Sequence, residues 1–305
     1  MYDLIIIGAG PAGITAGIYA ARKKLKTLLL VRDLVGQAGK ISEIENWPGE
    51  KNISGMSLME NLLDHLKGFE IEIKEGEIAT DIKKEGEFFE IKTKRGNSYS
   101  TKTIVVASGR TQRHLGVPGE EEFTGRGVSI CSTCDAPFYK DRVVAVVGGG
   151  NAGFRTALDL IPYANKIFVL DASGKIRADE AFQEKASQSG KIEIIFNAKV
   201  LEIKGEKRVE HLLYQDTTIK EQKELPVDGV FIEIGSVPAT EFLDGFVDFT
   251  EAGDVAINPK NCETKTPGIF AAGDVTDVAY KQLIIASGEG AKAALSAHNY
   301  LQSLN

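Results

Sequence analysis

Cys131-Ser132-Thr133-Cys134 sets two thiols in a CxxC motif. Such a dithiol works because a helix N-terminus lowers the pKa of one thiol, giving a thiolate able to attack a disulfide or a flavin. The competing chemistry is half of a zinc site. Zinc normally takes four ligands, and the chain has no second CxxC or paired histidines, Cys262 being the only other cysteine. No metal is therefore expected. Asp135, directly after the dithiol, suits the first turn of a helix and could also serve as an acid. Glycine fingerprints stand on either side, Gly8-Ala9-Gly10-Pro11-Ala12-Gly13 and Gly148-Gly149-Gly150-Asn151-Ala152-Gly153. Two dinucleotide sites and one dithiol suggest an electron relay from a nicotinamide, through a flavin, to a disulfide.

The glycines have separate jobs. Gly8 allows a tight turn, Gly10 lets backbone approach a pyrophosphate, and Gly13 lets the helix pack on the strand, with the helix N-terminus stabilising phosphate charge. Gly148, Gly150 and Gly153 repeat them. A carboxylate on the adenosine ribose is expected about 20 residues beyond a fingerprint. Asp171 lies eighteen residues past Gly153, whereas the same offset in the first copy falls on Val31, with Asp33 nearby. A carboxylate accepts hydrogen bonds from a ribose 2′-OH and repels a 2′-phosphate, so NADH is favoured over NADPH.

These motifs need strands and helices to hold them. Leu4-Ile5-Ile6-Ile7 and Val143-Val144-Ala145-Val146-Val147 are uninterrupted apolar runs, suited to central parallel strands. Each fingerprint opens a helix, about Gly13 to Arg22 and about Gly153 to Ile161, followed by strands at Thr27–Val31 and Lys166–Leu170. The first copy continues, after a long connection, with alternating strands around Glu70–Lys74, Ile78–Lys83 and Phe88–Lys94, closing on Thr103–Gly109. The second continues with Ile192–Phe196, Lys199–Lys204 and His211–Tyr214, closing on Gly229–Gly235. Period-two alternation suits half-exposed antiparallel strands. Each half therefore reads as a βαβ nucleotide fold with an inserted antiparallel β layer, and the class is α/β. After about Ala239 there is no third fingerprint. The apolar strand before Gly273-Asp274 and a helix-like stretch from Lys281 to Leu301 are expected to return and complete the first domain. Hinges are expected near Gln112–Pro118 and Gly235–Thr240.

At 305 residues, with 43% hydrophobic and 26% charged residues, the chain can bury two ordinary cores. A net charge of −7 argues against nucleic acid as a partner. The basic cluster Arg22-Lys23-Lys24 with Lys26 falls where the first fingerprint helix ends and complements its dipole. Leu4 to Ala21 is long enough to suggest a membrane span, but its glycines and proline read as strand, turn and helix, so no membrane association is expected. Met1-Tyr2-Asp3 leads directly into the strand, so no signal peptide is expected. Few cysteines, two of them in one CxxC, fit a cytoplasmic protein. Cys262 reads as a structural thiol at a strand edge, and His114 and His211 as surface or hinge residues.

In the order Gly8–Gly13, Gly36-Gln37, Glu45-Asn46-Trp47-Pro48-Gly49, Ala107-Ser108-Gly109, Val117-Pro118-Gly119-Glu120, Cys131-x-x-Cys134-Asp135, Gly148–Gly153 and Gly273-Asp274 … Tyr280-Lys281-Gln282, the chain resembles the low-molecular-weight thioredoxin reductases. It is similar as well to the flavoprotein component of alkyl hydroperoxide reductase. The resemblance runs over essentially the whole chain. It implies two Rossmann-like FAD/NAD(P)-binding domains of the two-dinucleotide-binding flavoprotein type, usually as a homodimer. Residues 1–112 and 241–305 would bind FAD, and residues 113–240 would bind the nicotinamide and carry the dithiol.

For FAD the resemblance implies Gly8, Gly10, Pro11, Ala12, Gly13, Gly36, Gln37, Asn46, Ile78, Gly109, Asp274, Gln282 and Leu283. Asp274 would contact the ribityl–phosphate region, and Gln37, Asn46 and Gln282 would line the flavin. For the nicotinamide it implies Gly148, Gly150, Asn151, Ala152, Gly153, Asp171, Ile234 and Gly235. Cys134 would be the flavin-proximal sulfur, Cys131 the one attacking the partner disulfide, and Asp135 the acid protonating the leaving thiolate. Two departures stand out. Ala136-Pro137 replaces the usual glycine after the aspartate, and Leu170–Arg177 lacks the His-Arg-Arg-x-x-x-Arg cluster of NADPH-specific reductases. The expected partner is thioredoxin or a thioredoxin-like protein, with a peroxiredoxin system or a ferredoxin donor as alternatives. In the peroxiredoxin case the carrier module would act in trans. A redox-sensing flavoprotein that switches a partner without turnover is the rival from another class.

Overall fold

The computed structural model describes residues 1–41 and 44–304. The chain forms two compact units, Met1–Thr111 with Val237–Asn305, and Gln112–Ser236. The first begins β1 (Tyr2–Ile7), α1 (Pro11–Arg22), β2 (Thr27–Val31), α2 (Gly55–Lys67), β3 (Glu72–Glu75), β4 (Ala79–Glu85), β5 (Phe88–Thr93), β6 (Ser98–Val106) and β7 (Arg110–Gln112). The second runs β8 (Val128–Ser129), α3 (Ser132–Asp135), β9 (Val143–Val147), α4 (Asn151–Leu160), β10 (Lys166–Leu170), α5 (Glu180–Gln188), β11 (Ile192–Ile195), β12 (Ala198–Gly205), β13 (Val209–Asp216), β14 (Gln222–Pro226) and β15 (Gly229–Ile232). β16 (Ser236–Pro238), β17 (Ile269–Ala271) and α6 (Leu283–Ser303) complete the chain.

In the first unit β3, β2, β1 and β6 are parallel neighbours, and β17 adds in parallel to β6. β6 takes two partners in turn along one edge of a single seven-stranded sheet. Ser98–Thr101 bond β5 antiparallel, while Ile104–Val106 bond β17 in parallel. The burial of β6 changes accordingly, from alternating at Ser98–Thr101 to fully buried over Thr103–Val106. The apolar runs are uninterrupted because both faces are covered. Leu4, Ile6, Leu29 and Val105 face a core with α1 and α6, and Ile5, Ile7, Leu28 and Ile104 face one with β4, β5 and Leu243 to Val255. Each such buried side chain contributes roughly 1.5–3 kcal/mol relative to exposure.

The second unit repeats the plan. β11, β10, β9, β15 and β8 form a parallel sheet, and β12, β13 and β14 a separate antiparallel one. Two sequence expectations need correcting. The segments around Glu70–Lys74 and Ile192–Phe196 are not antiparallel. They are the parallel edge strands β3 and β11, whose alternation comes from one open face and one open edge. The long connection after β2 holds α2, capped by Ser54, whose Oγ accepts the Ser57 N–H at 3.1 Å. The stretch Leu4–Ala21 is indeed β1, turn and α1. Among the described residues, no helix is long and apolar enough to cross a membrane.

Candidate active site

The two fingerprints share one arrangement of their glycines. Gly8 has φ +109° and Gly148 φ +130°, and a Cβ at either would lie 2.2 Å or 2.1 Å from the carbonyl oxygen of Ala107 or Glu233. A Cβ at Gly13 would sit 1.9 Å from the Gly8 oxygen, and one at Gly153 1.8 Å from the Gly148 oxygen. These four glycines let backbone meet backbone. Gly10 and Gly150 differ, since a Cβ there would meet no atom within 4 Å. Each is the N-cap of its helix, α1 or α4, with no side-chain cap and no acidic residue in the first turn. Pro11 and Asn151 occupy the first helical positions. Uncapped N–H groups beneath an open, Cβ-free approach fit the pyrophosphate of a dinucleotide at both sites.

In the first unit, Gly273-Asp274 follows β17, and the Gly273 N–H donates to the buried Glu289 carboxylate of α6 at 3.0 Å. Burial raises the Asp274 carboxyl above its ordinary value, against the opposing pull of Lys281 and Arg110. Ala12 is buried against α6, where only a glycine fits at Gly290. The Asn46 amide donates to Gln282 Oε1 at 3.1 Å, and Gln282 is the N-cap of α6, with Leu283 its first residue. Gln37 Nε2 donates to the Arg110 carbonyl. Gly36 and Gly109 both take positive φ, and the Gly36 N–H donates to Asp33 Oδ1 at 2.6 Å, giving Asp33 a turn-forming role. Ile78 follows Glu77, whose N–H donates to the Val31 carbonyl at the end of β2. An ion-pair knot that sequence reading missed, Asp254 with Arg110 and Lys281, fastens the loop carrying Asp274 and Gln282. Lys281 also donates to the Thr276 carbonyl.

In the second unit Asp171 is buried just beyond β10. Its Oδ1 accepts the N–H and hydroxyl of Ser173, and its Oδ2 accepts the Gly149 N–H at 2.7 Å and the Arg177 guanidinium at 3.3 Å. Burial works to raise its carboxyl, but those donors outweigh it and hold Asp171 below the ordinary carboxylate range. Asn151 exchanges two hydrogen bonds with Asp179, the N-cap of α5. Ala152 is exposed, Gly235 takes φ +93° and Ile234 is half-buried.

The dithiol is a disulfide in the same unit, with its Cα atoms 5.4 Å apart. Cys131 is the N-cap of α3, and its Sγ accepts the Cys134 N–H at 3.2 Å, a bond that favours a thiolate on Cys131. Cys131 is nevertheless only 8% exposed, whereas Cys134 is the exposed residue of the pair. Beside them Ile130 is 42% and Phe138 80% exposed, an apolar rim suited to a protein partner. Asp135 Oδ2 accepts the Ser129 hydroxyl at 2.6 Å, and Ser132 Oγ donates to Asp159 at 2.8 Å. Sequence reading missed Ser129, Ser173 and the pairing of Arg177, because none belongs to a motif, although each partner lies within six residues along the chain.

Cys262 is fully buried beside β17, and burial pushes its thiol up to about 11. We expect iodoacetamide at about pH 8 to modify the two dithiol cysteines of the reduced, folded protein and to spare Cys262. A third adduct by intact-mass measurement before unfolding would contradict this.

Residues 2–291 match the pyridine nucleotide-disulphide oxidoreductase family. An alkyl hydroperoxide reductase component of Pseudomonas aeruginosa is 39% identical over 304 residues, covering 98% of this chain and 58% of that protein. The chain thus spans less than two thirds of that relative's length. Thioredoxin reductase of Lactococcus lactis superposes with a TM-score of 0.92 at 36% identity, covering 99% of this chain and 100% of that one. Thioredoxin reductase of T. acidophilum gives a TM-score of 0.89 at 36% identity, covering 100% and 99%.

Proposed function

The chain belongs to the pyridine nucleotide-disulphide oxidoreductase family, and from that premise we propose that it is a flavoenzyme passing electrons from NADH to the disulfide of thioredoxin or a thioredoxin-like protein. The observation that carries this reading is the Cys131–Cys134 disulfide on the unit that bears the second fingerprint, with Asp135 beside it. The first unit would hold FAD at Gly10, Asp274, Asn46 and Gln282, and the second a nicotinamide at Gly150 and Asp171. FAD, when bound, supplies a two-electron carrier that accepts hydride from a reduced nicotinamide and passes electrons to a disulfide. Cys131, with its sulfur beside the Cys134 amide, acts as the nucleophile toward the partner, and Cys134 resolves the mixed disulfide. The rim of Ile130 and Phe138 seats the partner.

Identity to an alkyl hydroperoxide reductase component over nearly the whole chain favours a second reading, in which the thioredoxin-like acceptor feeds a peroxiredoxin. The dithiol chemistry is the same and only the acceptor differs.

NADH is preferred on the chemistry of Asp171. Its four acceptor positions are taken by the chain's own donors, and Arg177, the longest and most exposed of them, is the one a ribose hydroxyl would displace. Anaerobic titration of the FAD-loaded protein with NADH, NADPH and reduced ferredoxin tests the donor. Bleaching is expected at the lowest concentration with NADH, and bleaching by NADPH or ferredoxin at far lower concentration would overturn the assignment. Asp171→Asn removes the charge that repels a 2′-phosphate and frees Arg177 to meet it. It is expected to shift the NADPH/NADH ratio of kcat/KM toward NADPH about tenfold, or about 1.4 kcal/mol.

A further inference from the structure

Ser129 is a hydroxyl the chemistry above leaves unused. It ends β8, in register with Phe231 of β15, and is 4% exposed. Its Oγ donates to Asp135 Oδ2 at 2.6 Å and accepts the Cys131 backbone N–H at 3.1 Å. The Cys131 carbonyl lies 3.3 Å from the same oxygen. A hydroxyl has one proton, and the Asp135 carboxyl oxygen, at the shorter range, takes it. One side chain therefore ties the amide of the nucleophile's residue to the carboxyl group of its neighbouring acid. It does so from a paired strand, whereas Asp135 itself ends a helix of four residues. Reacting groups hold their geometry best when supported from a rigid element.

Resting on the disulfide-reductase reading, the geometry points to Ser129 as the positioning residue for proton transfer at the dithiol, holding Asp135 Oδ2 so that Oδ1 carries the proton given to the departing partner sulfur. The step balances. The Cys131 thiolate bonds to one partner sulfur, the partner S–S bond breaks, and the leaving thiolate takes the proton of Asp135. The Cys134 thiol then returns a proton to Asp135, and its thiolate attacks Cys131 Sγ. The mixed disulfide breaks, the enzyme disulfide forms, and the second partner thiolate takes a proton from water.

A positioned acid matters in proportion to how poor the leaving thiolate is. The FAD-loaded protein is reduced with dithiothreitol, freed of excess reagent, and mixed in single turnover with either of two probes. 5,5′-Dithiobis(2-nitrobenzoate) releases a stable aromatic thiolate, and 2-hydroxyethyl disulfide releases a basic alkyl one. Ser129→Ala is expected to slow the alkyl probe roughly tenfold and the aromatic probe less than about twofold, with Ser129→Thr restoring the alkyl rate. Ser129→Val against Ser129→Thr, matched in shape and suited to a strand, gives the same comparison should the alanine variant fold poorly. Equal slowing of both probes, or slowing of neither, overturns the role of Ser129. A reduced wild-type protein inert to both probes overturns the dithiol reading itself, and this inference with it.

Discussion

Cys134→Ser is expected to lower steady-state reduction of a thioredoxin disulfide by roughly 10³-fold or more, because nucleophile and resolving group act as a unit. Bleaching of the bound flavin by NADH should persist, since no cysteine sulfur is needed for hydride to leave a nicotinamide. The variant keeps the backbone N–H of residue 134, so the Cys131 sulfur keeps its donor. A lone Cys131 thiolate can open the partner disulfide and then has no neighbour to release it, so a mixed disulfide should accumulate on a non-reducing gel. Cys131→Ser should accumulate none. Geometry makes this pair of variants informative, because the buried cysteine is the one whose sulfur has the amide donor and the exposed cysteine is Cys134. An adduct on Cys131→Ser alone would exchange the roles of the two cysteines. Unimpaired turnover in both would end the relay.

The parts of this molecule readable from sequence are those where one residue type answers to one physical demand. Glycines at 8, 13, 148 and 153 stand where a Cβ would strike a carbonyl, and no other residue fits. The apolar runs of β1 and β9 are buried on both faces, so they lack alternation and mark central parallel strands. Alternation misled at β3 and β11. An edge strand of a parallel sheet alternates too once one face is open, and periodicity alone does not tell it from an antiparallel strand. The side-chain network was legible only where a motif ran through it. Asp171 could be placed by its distance from Gly153, but not the four donors that fill its carboxylate. Ser129 lies two residues before Cys131, and the turn of α3 after β8 brings its hydroxyl to Asp135.

The duplicated fingerprints allow the division of labour between the units to be tested with the mildest of substitutions. In Gly13→Ala the new Cβ would lie 1.9 Å from the Gly8 oxygen, and in Gly153→Ala 1.8 Å from the Gly148 oxygen. The struck atom is backbone in both, so the helix must lift from its strand. Overpacking of this kind costs roughly 1–3 kcal/mol, within the roughly 5–15 kcal/mol that a domain can spare, so each variant should fold with one phosphate turn displaced. Gly13→Ala is expected to purify nearly colourless, with under about a tenth of wild-type FAD content. Gly153→Ala should remain yellow and require over about tenfold more NADH for the same rate of bleaching, the loss of about 1.4 kcal/mol or more of nucleotide binding. Flavin content by absorbance and nucleotide affinity by anaerobic titration read the two effects separately. The crossed pattern, a yellow Gly13→Ala and a colourless Gly153→Ala, would mean that the first fingerprint serves the nicotinamide and the second the flavin. Loss of flavin in both would mean that a displaced turn in one unit is felt by the other, and that the two nucleotide sites are not energetically independent.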